Sequence, residues 1–344
     1  MKRINLRSDT QTQPTPEMRR AMAEAVVGDE QLCEDPTTNR LQAKVCELLG
    51  KEAAIFLPSA TMANQIAFAV HAEGGDELIG HHLSHPFIYE AGGPAYLSRI
   101  MMRGLQGARG MFSPADLEAA IHPAGNYHLS RSRILLVENT TNLGGGAVWP
   151  RDQLREVCAV AERHGLRRHL DGARLLNAVV ASGVAAAEYA SHFDTVTICF
   201  SKGLGAPVGA CLAGSDELIK QAWRFKHMYG GAMRQSGILA AGALYALEHH
   251  VERLAEDHAN ARRLAEAIAA MPHISIDPDC VQTNIIIFEV DPHFMPAAAL
   301  ASRMAECGVD FFSITPNSCR MVTHLNVTAD DIETTIECFG DLLS

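Results

Sequence analysis

Apolar positions along the chain follow two periods in turn. Residues 53–57 (Ala-Ala-Ile-Phe-Leu) form a continuous apolar run that predicts a buried strand, and a helix is predicted from about Thr61. A second strand is predicted at 133–137. After Pro150, Leu154, Val157, Cys158 and Ala161 recur at helical spacing, and Gly165 supplies a C-terminal cap. Short strands follow at 168–170, 194–200 and 208–213, with a helix from Arg174. Strands alternating with helices imply a largely parallel sheet covered by helices. Before this unit, Leu41, Val45, Leu48 and Leu49 make a helical stripe closed by Gly50. After it, a helix from about Ser236 is apolar nearly all round and therefore buried. Ala261, Leu264, Ala265 and Ile268 give an amphipathic helix, and 284–290 a strand. The expected organisation is α/β: a large domain over 1–250 and a small α+β C-terminal domain over 251–344. With no repeat or Pro/Gly linker between them, the two should share a tight interface, the first residues lying on the small one.

Composition narrows the function classes. The 344 residues are 47% hydrophobic and 20% charged, as in an ordinary globular protein. The formal charge of -11 gives no electrostatic footprint for nucleic acid or an anionic membrane. Nine cysteines, an odd number with no C-x-x-C pair, point to reduced thiols and a cytoplasmic protein. No signal-peptide h-region and no apolar run of membrane-spanning length is visible.

The chemistry starts at Lys202. Most lysines have bland readings, at the terminus, behind a capping glycine or on helices. Lys202 instead follows an apolar strand and sits among small residues in Ser201-Lys202-Gly203-Leu204-Gly205. Open parallel sheets bind ligands beyond the carboxyl ends of their strands, and a desolvated lysine there can form a Schiff base. A surface lysine in a glycine-rich loop explains the same residues equally well. Asp171 shifts the balance. It opens Asp171-Gly172-Ala173-Arg174 at another strand end, where a carboxylate can keep a pyridoxal ring nitrogen protonated. Arg174 would meet the ring oxygen or the substrate carboxylate. The turn Pro58-Ser59-Ala60-Thr61 precedes a helix whose N-terminus would attract a phosphate, and Arg234 is a second phosphate candidate. Taken singly, each of these is explained as well by a helix cap or a loop residue. His81, His82 and His85 first suggest a metal, yet no zinc-ligand spacing is present, and stacking of His85 on a flat cofactor is the alternative.

These segments together resemble the low-specificity threonine aldolases, whose pyridoxal-phosphate fold is related to that of aspartate aminotransferase. The resemblance runs from Leu6-Arg7-Ser8-Asp9-Thr10 through Glu34-Asp35-Pro36-Thr37, Glu138-Asn139-Thr140 and His169-Leu170-Asp171-Gly172-Ala173-Arg174. It ends at Arg320-Met321-Val322-Thr323-His324-Leu325. It implies a fold-type I enzyme that uses pyridoxal 5'-phosphate to cleave the Cα–Cβ bond of a β-hydroxy-α-amino acid. By motif, Lys202 is the Schiff-base lysine, Asp171 the pyridinium partner, and Ala60 and Thr61 cradle the phosphate. His85 stacks on the ring, and Ser8, Arg174 and Arg320 hold the substrate carboxylate. Arg234 reaches a neighbouring subunit's phosphate, and His128 lies near the substrate hydroxyl. The family implies a homotetramer, a dimer of dimers with shared active sites; the missing zinc-ligand spacings leave no metal site among the expected residues.

Four positions depart from the family pattern: Ala60 where glycine is usual, Leu32-Cys33 for Tyr-Gly, Thr141 for histidine and His227 for lysine. They leave the cofactor reading intact and bear on the substrate. β-Elimination or racemisation at Cα is the alternative reaction on the same cofactor. A non-catalytic amino-acid-binding protein is the rival from another class, and the joint presence of Lys202, Asp171 and Arg320 speaks against it.

Overall fold

The computed structural model describes residues 3–343. Its centre is a seven-stranded sheet: β1 (Ala53–Leu57), β2 (Glu77–His81), β3 (Met101–Leu105), β4 (Ser132–Glu138), β5 (Arg167–Gly172), β6 (Thr195–Cys199) and β7 (Ala210–Gly214). The spatial order is β1-β7-β6-β5-β4-β2-β3. All neighbours are parallel except β7, which runs antiparallel to both β1 and β6. Its direction has a simple cause. Residues 200–209 join β6 to β7 without a crossover helix, and a parallel return needs one.

Strands β1, β4 and β7 read as near-continuous apolar runs because both of their faces are covered. In β1, Ile55 and Leu57 pack under helices Ala60–His71 and Asp216–Met228, whereas Ala54 and Phe56 enter the core on the other face. Each fully buried Leu, Ile or Phe contributes roughly 1.5–3 kcal/mol through the area it removes from water. Helix Pro36–Leu49 ends at Gly50 in the left-handed region (φ 61), and the apolar helix Gly237–His249 is largely buried. Strands β2 and β3 have no counterpart in the sequence-based expectations. Each is only five residues long, and Gly80 or Gly104 interrupts its apolar run.

The C-terminal part is a four-stranded antiparallel sheet built on Ile285–Val290 and Ser318–Val322, with helices Leu254–Ala269, Ala297–Glu306 and Ala329–Leu343 packed on it. Ile4–Asn5 pairs in parallel with Val309–Asp310, and Ile4 and Leu6 belong to this second core. Leu254 lies in the large core and Ala261 in the second, along one helix. Among the described residues no helix is long and apolar enough to cross a membrane.

Candidate active site

Because β1, β2, β4, β5 and β6 point the same way, their carboxyl ends share one edge of the sheet. Lys202 follows β6, Asp171 lies near the end of β5, Glu138 ends β4, His85 follows β2, and the turn at 58–61 follows β1. The Lys202 loop is tight. Phe200 N–H donates to Gly209 O (3.0 Å) and Gly205 N–H to Lys202 O (2.8 Å). Gly205 (φ 79) and Gly209 (φ 115) adopt backbone that L side chains disfavour, and a Cβ at Gly209 would lie 2.6 Å from the Phe56 ring. Gly172, Ala173, Arg174, Cys199 and Lys202 line one small cavity, so the lysine loop and the Asp171 turn face each other.

Asp171 is buried. Its Oδ1 accepts from Ala173 N (3.1 Å) and its Oδ2 from Asn64 Nδ2 (2.8 Å). Asn64 Nδ2 also donates to Glu90 Oε1 (2.9 Å), which meets His85 Nδ1 at 2.9 Å. The ligand atoms of His85, Glu90 and Asp171 lie within 4.8 Å of one another, but both carboxylates already accept from Asn64. Glu138 accepts from His85 N and Asn142 N, each at 2.6 Å, and so ties two turns of the site together. Burial, and then the Asp171 charge, push its carboxyl up to about 7. At the start of helix Ala60–His71 the Ser59 side chain caps Met62 N. The N–H groups of Ala60 and Thr61 have no partner within the helix.

Arg174 caps helix Leu175–Ser182 and is bound bidentately to Asp9 through Nε and NH2, both at 2.7 Å. Burial opposes the Asp9 charge, yet Arg174, Lys202 and Arg320 hold its carboxyl well below the usual range. Two of the three Arg174 nitrogens are therefore occupied, and NH1 approaches Asn142 Oδ1 at 3.4 Å. Arg320 NH2 donates to the same oxygen at 2.9 Å, while its buried Nε has no partner among the described residues. Burial, and then Arg174, lower the Arg320 guanidinium to about 10. Such a cation favours an incoming anion. Ser8, whose Oγ accepts from Thr10, follows Leu6, and Leu6 O accepts from Val322 N at the end of the Arg320 strand.

Behind Asp9, Asn284 Nδ2 donates to Asp9 Oδ2 (3.2 Å), and Asn177 bridges Asn284 to His258 Nε2 (3.1 Å). Burial lowers His258 to about 4. A depressed histidine stabilises the fold above the ordinary imidazole range and loses that contribution as pH falls from ~6.5 towards 4, because only the unfolded chain takes up the proton. The loss amounts to about 3 kcal/mol. Urea midpoints should thus fall faster for the wild type than for His258→Gln over this pH range. Parallel curves would mean the imidazole is not held neutral.

Two expected site residues lie elsewhere. His128 is exposed in the loop before β4, at the amino edge of the sheet, and at ~3.3 Å per residue β4 alone separates it from Glu138 by roughly 20 Å. Arg234 is exposed and ion-pairs with Asp29 at 2.9 Å. Lys226 does lie on a helix, Asp216–Met228, as its sequence context indicates. It is fully buried, its Nζ paired with Glu30, and Glu30 also accepts from Met233 N (2.9 Å). Among the family departures, Leu32 and His227 are exposed, Cys33 holds a left-handed φ of 58°, and Thr141 is buried with an unpartnered hydroxyl. The sequence reading also passed over Asp9, Asn64, Glu90 and Asn142 as site residues. Asp9 carried a usable signal, as the acid next to Ser8 in Leu6-Arg7-Ser8-Asp9-Thr10.

The fold and the edge at which these groups converge are those of the fold-type I pyridoxal-phosphate enzymes. A threonine aldolase from Leishmania major superposes with a TM-score of 0.85 over 99% of this chain and 100% of that one, at 19% identity. The Sphingomonas wittichii serine palmitoyltransferase gives 0.78 over 98% and 86%, also at 19% identity. Residues 5–291 match the family described as β-eliminating lyase. The low specificity L-threonine aldolase of Escherichia coli K12 is 42% identical over 96% of both chains. The low-specificity L-threonine aldolase 1 of Arabidopsis thaliana is 37% identical over 98% of this chain and 96% of that one. The chain belongs to the β-eliminating lyase family and, within it, to the low-specificity threonine aldolases.

Proposed function

We propose that this lyase binds pyridoxal 5'-phosphate and cleaves a threonine-like β-hydroxy-α-amino acid (threonine, allo-threonine or a phenylserine) to glycine and an aldehyde. The observation that carries the reading is that Lys202 and Asp171 meet at one sheet edge, while the half-satisfied Arg320 of the C-terminal sheet acts with Lys202 on the same carboxylate, Asp9. The residues present fit the cofactor. Asp171, Glu90 and Glu138 crowd together, and a protonated ring nitrogen offsets their repulsion. Thr197 Oγ1, opposite Asp171 in register, and Asn139 Nδ2, Thr140 Oγ1 and Arg320 Nε are buried without partners among the described residues, as groups awaiting a polar ligand are.

When bound, the cofactor supplies an electron sink for the charge left at Cα. Lys202 anchors its aldehyde, Asp171 keeps the ring nitrogen protonated, and the N–H groups of Ala60 and Thr61 hold the phosphate. His85 stacks on the ring. Ser8 and Arg320, with the remaining NH1 of Arg174, would hold the substrate carboxylate and so orient the bonds at Cα. The contact with Glu90 commits His85 Nδ1 as a donor and leaves Nε2 to take the β-hydroxyl proton. Arg234 and His128, kept away from their own chain's site, serve a neighbouring subunit's site in a homotetramer. The exposed apolar side chains of Leu32, Tyr96 and Tyr127 support burial in such an assembly.

Incubation with L-threonine, L-allo-threonine and phenylserine should release glycine and aldehyde in equal amounts. Ammonia with a keto acid would instead identify β-elimination, the reaction for which the matching family is named, and formation of the other enantiomer would identify racemisation.

A further inference from the structure

Behind Asp171 lies a chain of buried polar groups that the mechanism does not use. Strand β5 alternates, so His169 and Asp171 face the same side. That side meets helix Ala60–His71, on which Asn64 and His71 are two turns apart and share a face. Thr195 of β6 pairs with His169 in register. The contacts run in series. His71 Nε2 lies 2.8 Å from Thr195 Oγ1, and Thr195 Oγ1 lies 2.8 Å from His169 Nδ1. His169 Nε2 is 3.1 Å from Asn64 Oδ1, and Asn64 Nδ2 is 2.8 Å from Asp171 Oδ2. Every residue in the series is at most 3% exposed.

The two carboxylates dictate the direction of every bond. Asn64 faces Asp171 and Glu90 with the same atom, so that atom is the amide nitrogen and Oδ1 is turned to His169. His169 must then carry its proton on Nε2, leaving Nδ1 bare. The Thr195 hydroxyl donates to Nδ1, so its lone pair accepts from His71 Nε2–H. The direction demands that His169 be neutral, whereas His71 donates from Nε2 in either protonation state. Burial lowers His169 to about 4 and His71 to about 3. Around His71 the charges are mixed, Arg133 and Arg167 opposing Asp194. Around Asp171 they are Glu90, Glu138 and His85. The series ends at His71 Nδ1, which has no partner among the described residues.

We propose that His71, Thr195 and His169 are positioning residues that act through Asn64. They form a one-way hydrogen-bond relay that locks the Asn64 amide as a double donor and thereby holds the Asp171 carboxylate, ionised and aimed, for the cofactor's ring nitrogen. The proposal rests on the cofactor reading above. Between His71 Nε2 and Asp171 every donor in the series meets an acceptor, and each donor polarises the next towards Asp171. Simple packing of helix against sheet needs no such order, since an apolar layer would serve.

The test uses Thr195→Val, which keeps the shape and removes the link between the two rings, and Thr195→Ser, which restores the hydroxyl. Asn64→Leu removes the final donor. Pyridoxal 5'-phosphate affinity by equilibrium dialysis and the pH midpoint of the bound cofactor's visible band are measured for each. Thr195→Val should bind about tenfold more weakly and Asn64→Leu about a hundredfold, as the loss of one net hydrogen bond and of a buried charged-group donor implies. The band midpoint should move in the same order, and Thr195→Ser should match the wild type. If Thr195→Val does not fold, His71→Leu at the far end decides, with a smaller shift in the same direction. Wild-type affinity and midpoint in a folded Thr195→Val protein, or in His71→Leu should it be needed, would overturn the relay and leave the cofactor reading standing. A wild type that takes up no cofactor would overturn both.

Discussion

Lys202→Ala should lower the rate of glycine release at least about 10³-fold, while secondary structure and melting behaviour stay near wild type. Lys202 follows β6 at the carboxyl edge of the sheet. Its side chain makes no hydrogen bond that holds the loop together, because the loop is closed by Phe200, Gly205 and Ala206 backbone N–H groups. The substitution therefore removes chemistry rather than structure. It removes the covalent anchor and the amine that carries protons at Cα, and a positioned proton carrier alone is worth 10²–10⁴ in rate. Loss of the lysine also removes a cation near Asp9, but Arg174 remains bidentate there, so the carboxylate stays paired. The pyridoxal 5'-phosphate should still bind, held by the N–H groups at 60 and 61 and by Asp171, with a changed absorption band. Aldehyde release at the wild-type rate from this variant would sink the assignment of Lys202.

The second large effect is expected at Asp171. Asp171→Asn keeps the size of the side chain but puts a neutral amide against the Asn64 nitrogen and the ring nitrogen. The ring then has no buried carboxylate to hold its proton, and its power to take up charge from Cα falls. The loss acts in the transition state, so kcat should drop by about 10²–10³, as when a single electrostatic partner of developing charge is deleted, with KM nearly unchanged. Asp171→Glu should recover little, because the two bonds to Ala173 N and Asn64 Nδ2 fix the carboxylate at one depth. An Asp171→Asn enzyme that loses only affinity for substrate would place the residue outside the cofactor's electronics.

Much of this arrangement was legible in the chain. Apolar or β-branched runs located β1, β4, β6 and β7, which are buried on both faces, whereas β5 (Arg-Arg-His-Leu-Asp-Gly) holds a single apolar residue, Leu170. Runs broken by glycine hid β2 and β3. Lys202 and Asp171 were legible because each follows a strand and precedes small residues, and strand direction then puts both at one edge. The same logic excludes His128 from its own chain's site, since a residue that precedes a parallel strand lies at the opposite edge. Pairings made by tertiary packing left no local trace. Lys226 finds Glu30 from 196 residues away, and Arg174 finds Asp9 from 165 away. The sequence placed Lys226 only on a helix, with no sign of its burial, and the arginine looked free for a substrate. The relay was hidden for the same reason. Asn64 and His71 read as polar positions on a helix, and only the packing of that helix against β5 and β6 joins them to His169 and Thr195.

The most direct measurement is borohydride reduction of the protein incubated with pyridoxal 5'-phosphate, followed by peptide mass spectrometry. A phosphopyridoxyl group on the peptide that carries Lys202, appearing as the visible band bleaches, is the predicted result. An unlabelled Lys202 peptide, or label on Lys226 or a surface lysine in its place, would contradict the account.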